Sequence, residues 1–197
     1  MKKVTTLFVA IIAVALVAFK PVAPVTFKVD ADKSKIEWTG KKVTGQHTGT
    51  IKLASGEVVT NGKTPTGGKF TIDMTSMTST DLQGGGADKL LGHLKSDDFF
   101  GTEKYPTSTF TATKITPAGA NKVNVTGNLT IKGKTAAITF PATYTLAGNT
   151  LTVVAPEVKV DRTVYDIRYG SKSFFESIGD KAIDNEFLLN VTLVATK

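Results

Sequence analysis

The sequence predicts an all-β fold of antiparallel strands with one or two short helices at one end. Three observations carry this. After Lys35, segments rich in Thr, Val and Ile alternate apolar with polar residues at a period of two. Tight-turn signals separate them, among them Asn61-Gly62, Lys132-Gly133-Lys134 and Ala147-Gly148-Asn149. No internal repeat occurs, and no strand–helix alternation of the kind that builds a parallel sheet. On pattern alone, a barrel and a sandwich both satisfy these observations.

The chain has 197 residues and no cysteine, enough for one domain with a proper core and without disulfides or thiolate chemistry. Its beginning reads as an export signal: Lys2 and Lys3, then an apolar run from Leu7 to Phe19, too short to span a bilayer comfortably. Residues 1–23 are assigned to this signal, with cleavage between 18 and 23, and residues 24–197 to the domain. A retained N-terminal anchor is the alternative. The expected location is periplasmic or secreted. Without Lys2, Lys3 and Lys20 the formal charge falls from +7 to +4, scattered and without a basic block, so no nucleic-acid partner is expected.

Ile36 and Trp38 alternate with Lys35, Glu37 and Thr39 as the first half-buried strand. Ile51 and Leu53 mark the second. Phe70, Ile72 and Met74 share a face of the third, opposite Thr71, Asp73 and Thr75. Gly84-Gly85-Gly86 then breaks the chain. Ala87, Leu90, Leu91 and Leu94 stand at i, i+3, i+4 and i+7, one apolar helical face. Ser96 is placed to cap a further short turn carrying Asp97 and Asp98, and Phe99-Phe100 supplies a large apolar surface. Tyr105-Pro106 returns the chain to extended geometry. The whole reads as a helical lid over a barrel end.

After Phe110 the alternation is regular: Val123, Val125, Leu129 and Ile131, then Ile138, Phe140, Tyr144 and Leu146. Leu151, Val153, Val158 and Val160 follow, with an irregularity expected at Pro156. Ser173-Phe174-Phe175-Glu176 has capping-box spacing and predicts a second short helix ended by Gly179. Phe187, Leu189, Val191 and Leu193 form the closing strand.

Candidate catalytic groups are sparse. His47 and His93 have no ligand-spaced partner, so no metal is expected. Asp97-Asp98 is explained by helix-terminal charge, Asp161-Arg162 by an ion pair, and no nucleophile elbow, phosphate loop or dinucleotide fingerprint occurs. Neither an enzyme nor a cofactor site is expected.

One stretch is specific. Gly92-His93-Leu94-Lys95-Ser96-Asp97-Asp98-Phe99-Phe100, continued by Lys104-Tyr105-Pro106 and Thr109-Phe110, closely resembles the signature of the YceI-like, polyisoprenoid-binding proteins. The resemblance runs from about Val29 to Ala195. It implies an antiparallel, lipocalin-like eight-stranded β-barrel, a long isoprenoid or similar amphiphile in its interior, only transient membrane contact and a possible homodimer. The segment Asp161 to Gly170 is similar to the family's corresponding strand and loop, but has Val164-Tyr165-Asp166-Ile167 where many members have Asp-Phe-Gly.

A barrel of eight strands is about wide enough to hold one small ligand. Its expected apolar wall is Trp38, Phe70, Leu90, Leu94, Phe99, Phe100, Phe110, Phe140, Tyr165, Phe174, Phe175 and Phe187. Its expected polar mouth is His93, Arg162 and Arg168. Two competing readings are a barrel simply filled by these side chains and a lipid-acting enzyme.

Overall fold

The computed structural model describes residues 23–177 and 179–197; the expected export signal, assigned to residues 1–23, falls outside the described residues apart from Ala23. The strands are β1 (Val25–Val29), β2 (Lys35–Lys42), β3 (Gly45–Thr60), β4 (Pro65–Asp73), β5 (Thr107–Pro117), β6 (Lys122–Ile131), β7 (Lys134–Ala147), β8 (Thr150–Asp161) and β9 (Ile183–Thr196). The helix α1 (Gly84–Lys95) lies between β4 and β5. All pairings are antiparallel, and the sheet closes through β3 and β4. Both β1 and β2 pair with β3 and β9, one after the other along the same slot. Nine strands therefore occupy eight positions around a closed barrel. The predicted eight-stranded barrel is what forms.

Alternation places the wall. In β6, Val123, Val125, Leu129 and Ile131 are all buried while Lys122, Asn124 and Asn128 face water. Gly127 continues the inward row because no side chain fits there. A Cβ would stand 2.3 Å from Phe110 Cζ and 2.6 Å from the Thr111 carbonyl. Phe110 fills that space and belongs to an aromatic row, with centroids 6.3 Å from Phe70 and 5.6 Å from Phe140.

The turns behave as their residues require. Lys132 and Gly133 both have positive φ (50° and 71°), the pairing that a tight hairpin demands. Asn61 accepts the Lys63 and Thr64 N–H groups through its own side chain. The irregularity near Pro156 is a bulge between Ala155 and Val158, with Glu157 at φ 49°.

Four local expectations are corrected. Gly84, Gly85 and Gly86 form the first turn of α1 and do not precede it. Ser96 ends α1, its hydroxyl donating to the His93 carbonyl, so it does not cap a following turn. Met74 lies in a 3-10 turn after β4. No helix forms at Ser173–Glu176; the chain makes turns there, and only Gly179–Lys181 is a 3-10 turn.

The barrel's two ends are made differently. At one end lie the β3–β4, β5–β6 and β7–β8 hairpins, beneath which Phe27, Val58, Leu151 and Ala195 form a fully packed cluster. At the other lie the β2–β3 and β6–β7 hairpins, α1 with its flanking turns, and the connection from β8 to β9.

Candidate functional site

The barrel interior is not filled. A cavity of about 730 Å³ runs from the α1 end down to Val58 and Val123, near the packed cluster. Its wall is almost entirely apolar. Of the predicted wall, Trp38, Phe70, Leu90, Leu94, Phe99, Phe100, Phe110, Phe140 and Phe187 line it. Sequence reasoning left the methionines Met74 and Met77 out of the wall, which they line where the chain leaves β4; alternation puts Met74 on the Phe70 face, whereas no pattern marks Met77.

Three of the predicted wall residues stand elsewhere. Tyr165 is fully buried but packs behind the cavity, in the 3-10 turn Arg162–Tyr165. Phe174 and Phe175 are 45% and 51% exposed on the outside, because the helix that would have aimed them inward does not form.

The lid is built by backbone bonds from α1 into the following turn. Phe100 N–H donates to the Leu94 carbonyl, Thr102 N–H to that of Lys95 and Gly101 N–H to that of Ser96. Gly101 can close this turn at φ 56°. The consequence is that Leu94, Phe99 and Phe100 face the cavity together, with Phe100 edge-on to Phe187. Leu90, His93 and Leu94 are the α1 residues in the lining. His93 is wedged edge-on between Phe99 (5.1 Å) and Tyr169 (4.4 Å), which also lines the mouth.

Arg162 is the buried charge of the site. It is 2% exposed and borders the cavity, its guanidinium 5.5 Å from the Phe99 ring centre. Nε donates to the Asp184 carbonyl, Nη1 to Ile167 and Nη2 to Ile183. No carboxylate makes an ion pair with it among the described residues. Burial depresses its pKa, while Asp161 and Asp184 act in the opposite sense. The fork thus ties the β8 end to the β9 start and leaves a cationic face beside an apolar chamber. Arg168 is not part of this arrangement. It pairs with Asp166 at 2.8 Å and lies over the Phe174 ring, outside the lining.

His47 lies on the rim of the cavity and pairs with Asp81 at 2.8 Å. Asp81 also accepts the Thr48 N–H and the Ser79 hydroxyl. Burial is the largest single influence on Asp81 and pushes its carboxyl up, but these donors together hold it below the ordinary value. The pair fastens residues 76–81 along the upper part of β3, where Thr78 and Thr80 N–H donate to the Thr50 and Thr48 carbonyls. Among the described residues, two buried side-chain polar atoms have no partner, Trp38 Nε1 and the Tyr165 hydroxyl.

The mouth opens between exposed residues of the β2–β3 hairpin, Lys41, Lys42 and Thr44, and those around the β9 start, Asp180, Lys181 and Asp184. No group of three or more His, Cys, Asp or Glu able to hold a metal occurs among the described residues.

Comparison with known proteins agrees with this architecture. Protein YceI of Escherichia coli is 36% identical over 94 residues, 48% of this chain and 47% of that protein. The matched stretch is thus under half the length of the curated relative. BcnA of Burkholderia cenocepacia superposes with a TM-score of 0.69 at 29% identity, covering 85% of this chain and 99% of that one. A polyisoprenoid binding domain from Saccharophagus degradans has a TM-score of 0.65 over 86% and 97% of the two chains; at 19% identity this likeness is one of fold. The model of the YceI-like domain matches residues 27–195, nearly the whole barrel, and the chain belongs to that family.

Proposed function

We propose that this chain is an exported lipid-binding protein that holds a long-chain isoprenoid or similar amphiphile for transport, storage or stress protection. The observation that carries it is the 730 Å³ apolar chamber with one buried guanidinium at its wall. A water-sized group takes roughly 30 Å³, so the chamber accommodates about 24 carbon-sized groups, or about five isoprene units. At about 0.8 kcal/mol for each such group removed from water, ten of them supply the ~8 kcal/mol of micromolar affinity. Affinity is therefore set by the apolar tail, and Arg162, His93 and Tyr169 are placed to select a polar or anionic head group at the mouth. The Saccharophagus degradans neighbour, a polyisoprenoid binding domain, has the same fold, which is compatible with a ligand of that class.

The test is organic extraction of protein purified from its natural compartment, followed by mass spectrometry. Stoichiometric recovery of a polyprenyl or quinone species is expected. Trp38, the sole tryptophan, lines the chamber and reports uptake directly through its fluorescence. An empty barrel whose Trp38 emission ignores added polyprenol would overturn the reading.

A further inference from the structure

The described residues expose seven large apolar side chains, and six stand on connections at the mouth end: Val43, Tyr105, Val164, Tyr169, Phe174 and Phe175. The seventh, Val154, is on β8. The hairpin tips at the opposite end carry Asn61-Gly62-Lys63-Thr64, Gly119-Ala120-Asn121 and Gly148-Asn149, with nothing comparable. Chance placement on a barrel has no reason to favour one end so strongly.

We propose that this rim is a docking surface for an anionic lipid bilayer, which seats the cavity mouth against the membrane. Its use in loading cargo rests on the lipid-binding reading above; the docking itself does not.

The rim is continuous. Val43 N–H donates to the Ala182 carbonyl, joining the β2–β3 hairpin to the segment before β9. Tyr169, Phe175 and Lys181 border one shallow groove, and Phe174 is covered on one side by Arg168. Half-exposed Phe and Tyr rings beside lysines are the side chains that partition into the head-group region of a bilayer. Charge favours an anionic surface. Between residues 166 and 184, Arg168, Lys172 and Lys181 meet Asp166, Glu176, Asp180 and Asp184, and the adjoining Lys41 and Lys42 tip the rim to a small positive excess. Neither Lys41 nor Lys42 makes an ion pair among the described residues. Lys41, Lys42, Tyr169 and Lys181 also line the cavity, so the surface that meets the bilayer is the entrance itself. A second copy of this chain is the competing occupant, and the probes below separate it from a bilayer.

The chain contains no cysteine, so single probe sites can be introduced cleanly. An environment-sensitive fluorophore is attached to Ser177→Cys beside Phe175, or to Asn149→Cys at the far end, in the exported protein. Vesicles of phosphatidylcholine, with and without phosphatidylglycerol, are added at low ionic strength. The expected result is a blue shift at position 177 that grows with phosphatidylglycerol and weakens with salt, and none at 149. Phe174→Ser with Phe175→Ser is expected to weaken vesicle affinity at least about tenfold. Uptake of a soluble fluorescent isoprenoid should be unchanged, because neither ring lines the cavity.

A silent probe at 177 overturns the proposal, and so does an equal shift at both positions, which is what a retained apolar leader would produce. A shift that follows protein concentration without vesicles also overturns it and assigns the rim to self-association. Docking without extractable cargo removes the lipid-carrier reading alone; cargo without docking removes this one alone.

Discussion

The two ends of the barrel solve the same problem, closure, by different means. At the packed end the seal comes from the strands: Phe27 of β1, Val58 of β3, Leu151 of β8 and Ala195 of β9 meet with almost no exposure. At the mouth end it comes from segments between strands, held by carbonyl hydrogen bonds around Arg162 and by the turn from Leu94 to Thr102. Strand-borne closure draws on the hydrophobic effect and on barrel closure itself. Loop-borne closure buries fewer apolar side chains, chiefly Phe99, Tyr165 and Ile167, and leans in addition on polar contacts each worth about 1 kcal/mol. Regions of the second kind open at lower free energy, which suits an entrance.

The largest expected effect follows from removing the hub of that loop closure. Arg162→Met deletes three donors and leaves the Ile167, Ile183 and Asp184 carbonyls unpaired, at a cost of about 2–3 kcal/mol by urea denaturation. Hydrogen exchange sharpens the comparison. The Ile183 amide, bonded to the Gly170 carbonyl at 2.8 Å, should lose protection beyond the global change, while Leu151 and Ala195 follow global stability. Uniform loss at both ends would erase the distinction drawn between them.

A second effect tests the strap that closes the mouth half of β3. A Cβ on Gly49 would stand 1.8 Å from the Thr78 carbonyl and 2.4 Å from Trp38 Cζ2. Gly49→Ala should therefore cost about 2 kcal/mol, displace residues 76–81 and alter Trp38 emission. Gly40→Ala, where nothing lies within 4 Å, should stay close to the parent by the same thermal melt. Equal melting of the two variants would show that the strap does not hold the mouth.

The same division explains what could be read from the chain in advance. Strand-borne structure was legible, because β6 alternates without a fault and the hairpin turns carry the residues their φ values require. The strand β1 was not: it is only five residues, and its pattern is lost beside the apolar run from Leu7 to Phe19. The wall residues on strands and on α1 fall where periodicity puts them. The connection from β8 to β9 is where reading failed, and its polar contacts show why. The spacing around Ser173 predicts a helix cap, but its hydroxyl accepts from Asn185 Nδ2, and its N–H goes to the Ser171 hydroxyl. Ser171 Oγ in turn donates to Asn185 Oδ1. A partner twelve residues away on β9 decides that conformation, and no local spacing announces it. Arg162 shows the same limit. Its type and place were visible, whereas its burial against three carbonyls depends on where β9 begins.

The smallest effect lies in the same loop and has the opposite sign. Tyr165 is fully buried, and its hydroxyl has no hydrogen-bond partner among the described residues. Tyr165→Phe removes that unpaired group while keeping the ring, and should raise stability at pH 7 by about 1 kcal/mol. The alkaline limb gives an independent check. Burial first, then the charge of Asp161, pushes the Tyr165 phenol from its ordinary value of 10.0 up to about 12. Between those values the unfolded chain has released the proton and the folded chain still holds it, so stability falls as pH rises. The contribution is fully present below pH 10 and lost by the time pH passes about 12. Tyr165→Phe should flatten this part of the stability curve, measured by urea midpoints from about pH 9 to about pH 12 at constant ionic strength. A parent and variant that decline in parallel would mean that Tyr165 meets water or a donor in solution, and that the mouth-end loop is open more often than its packing implies.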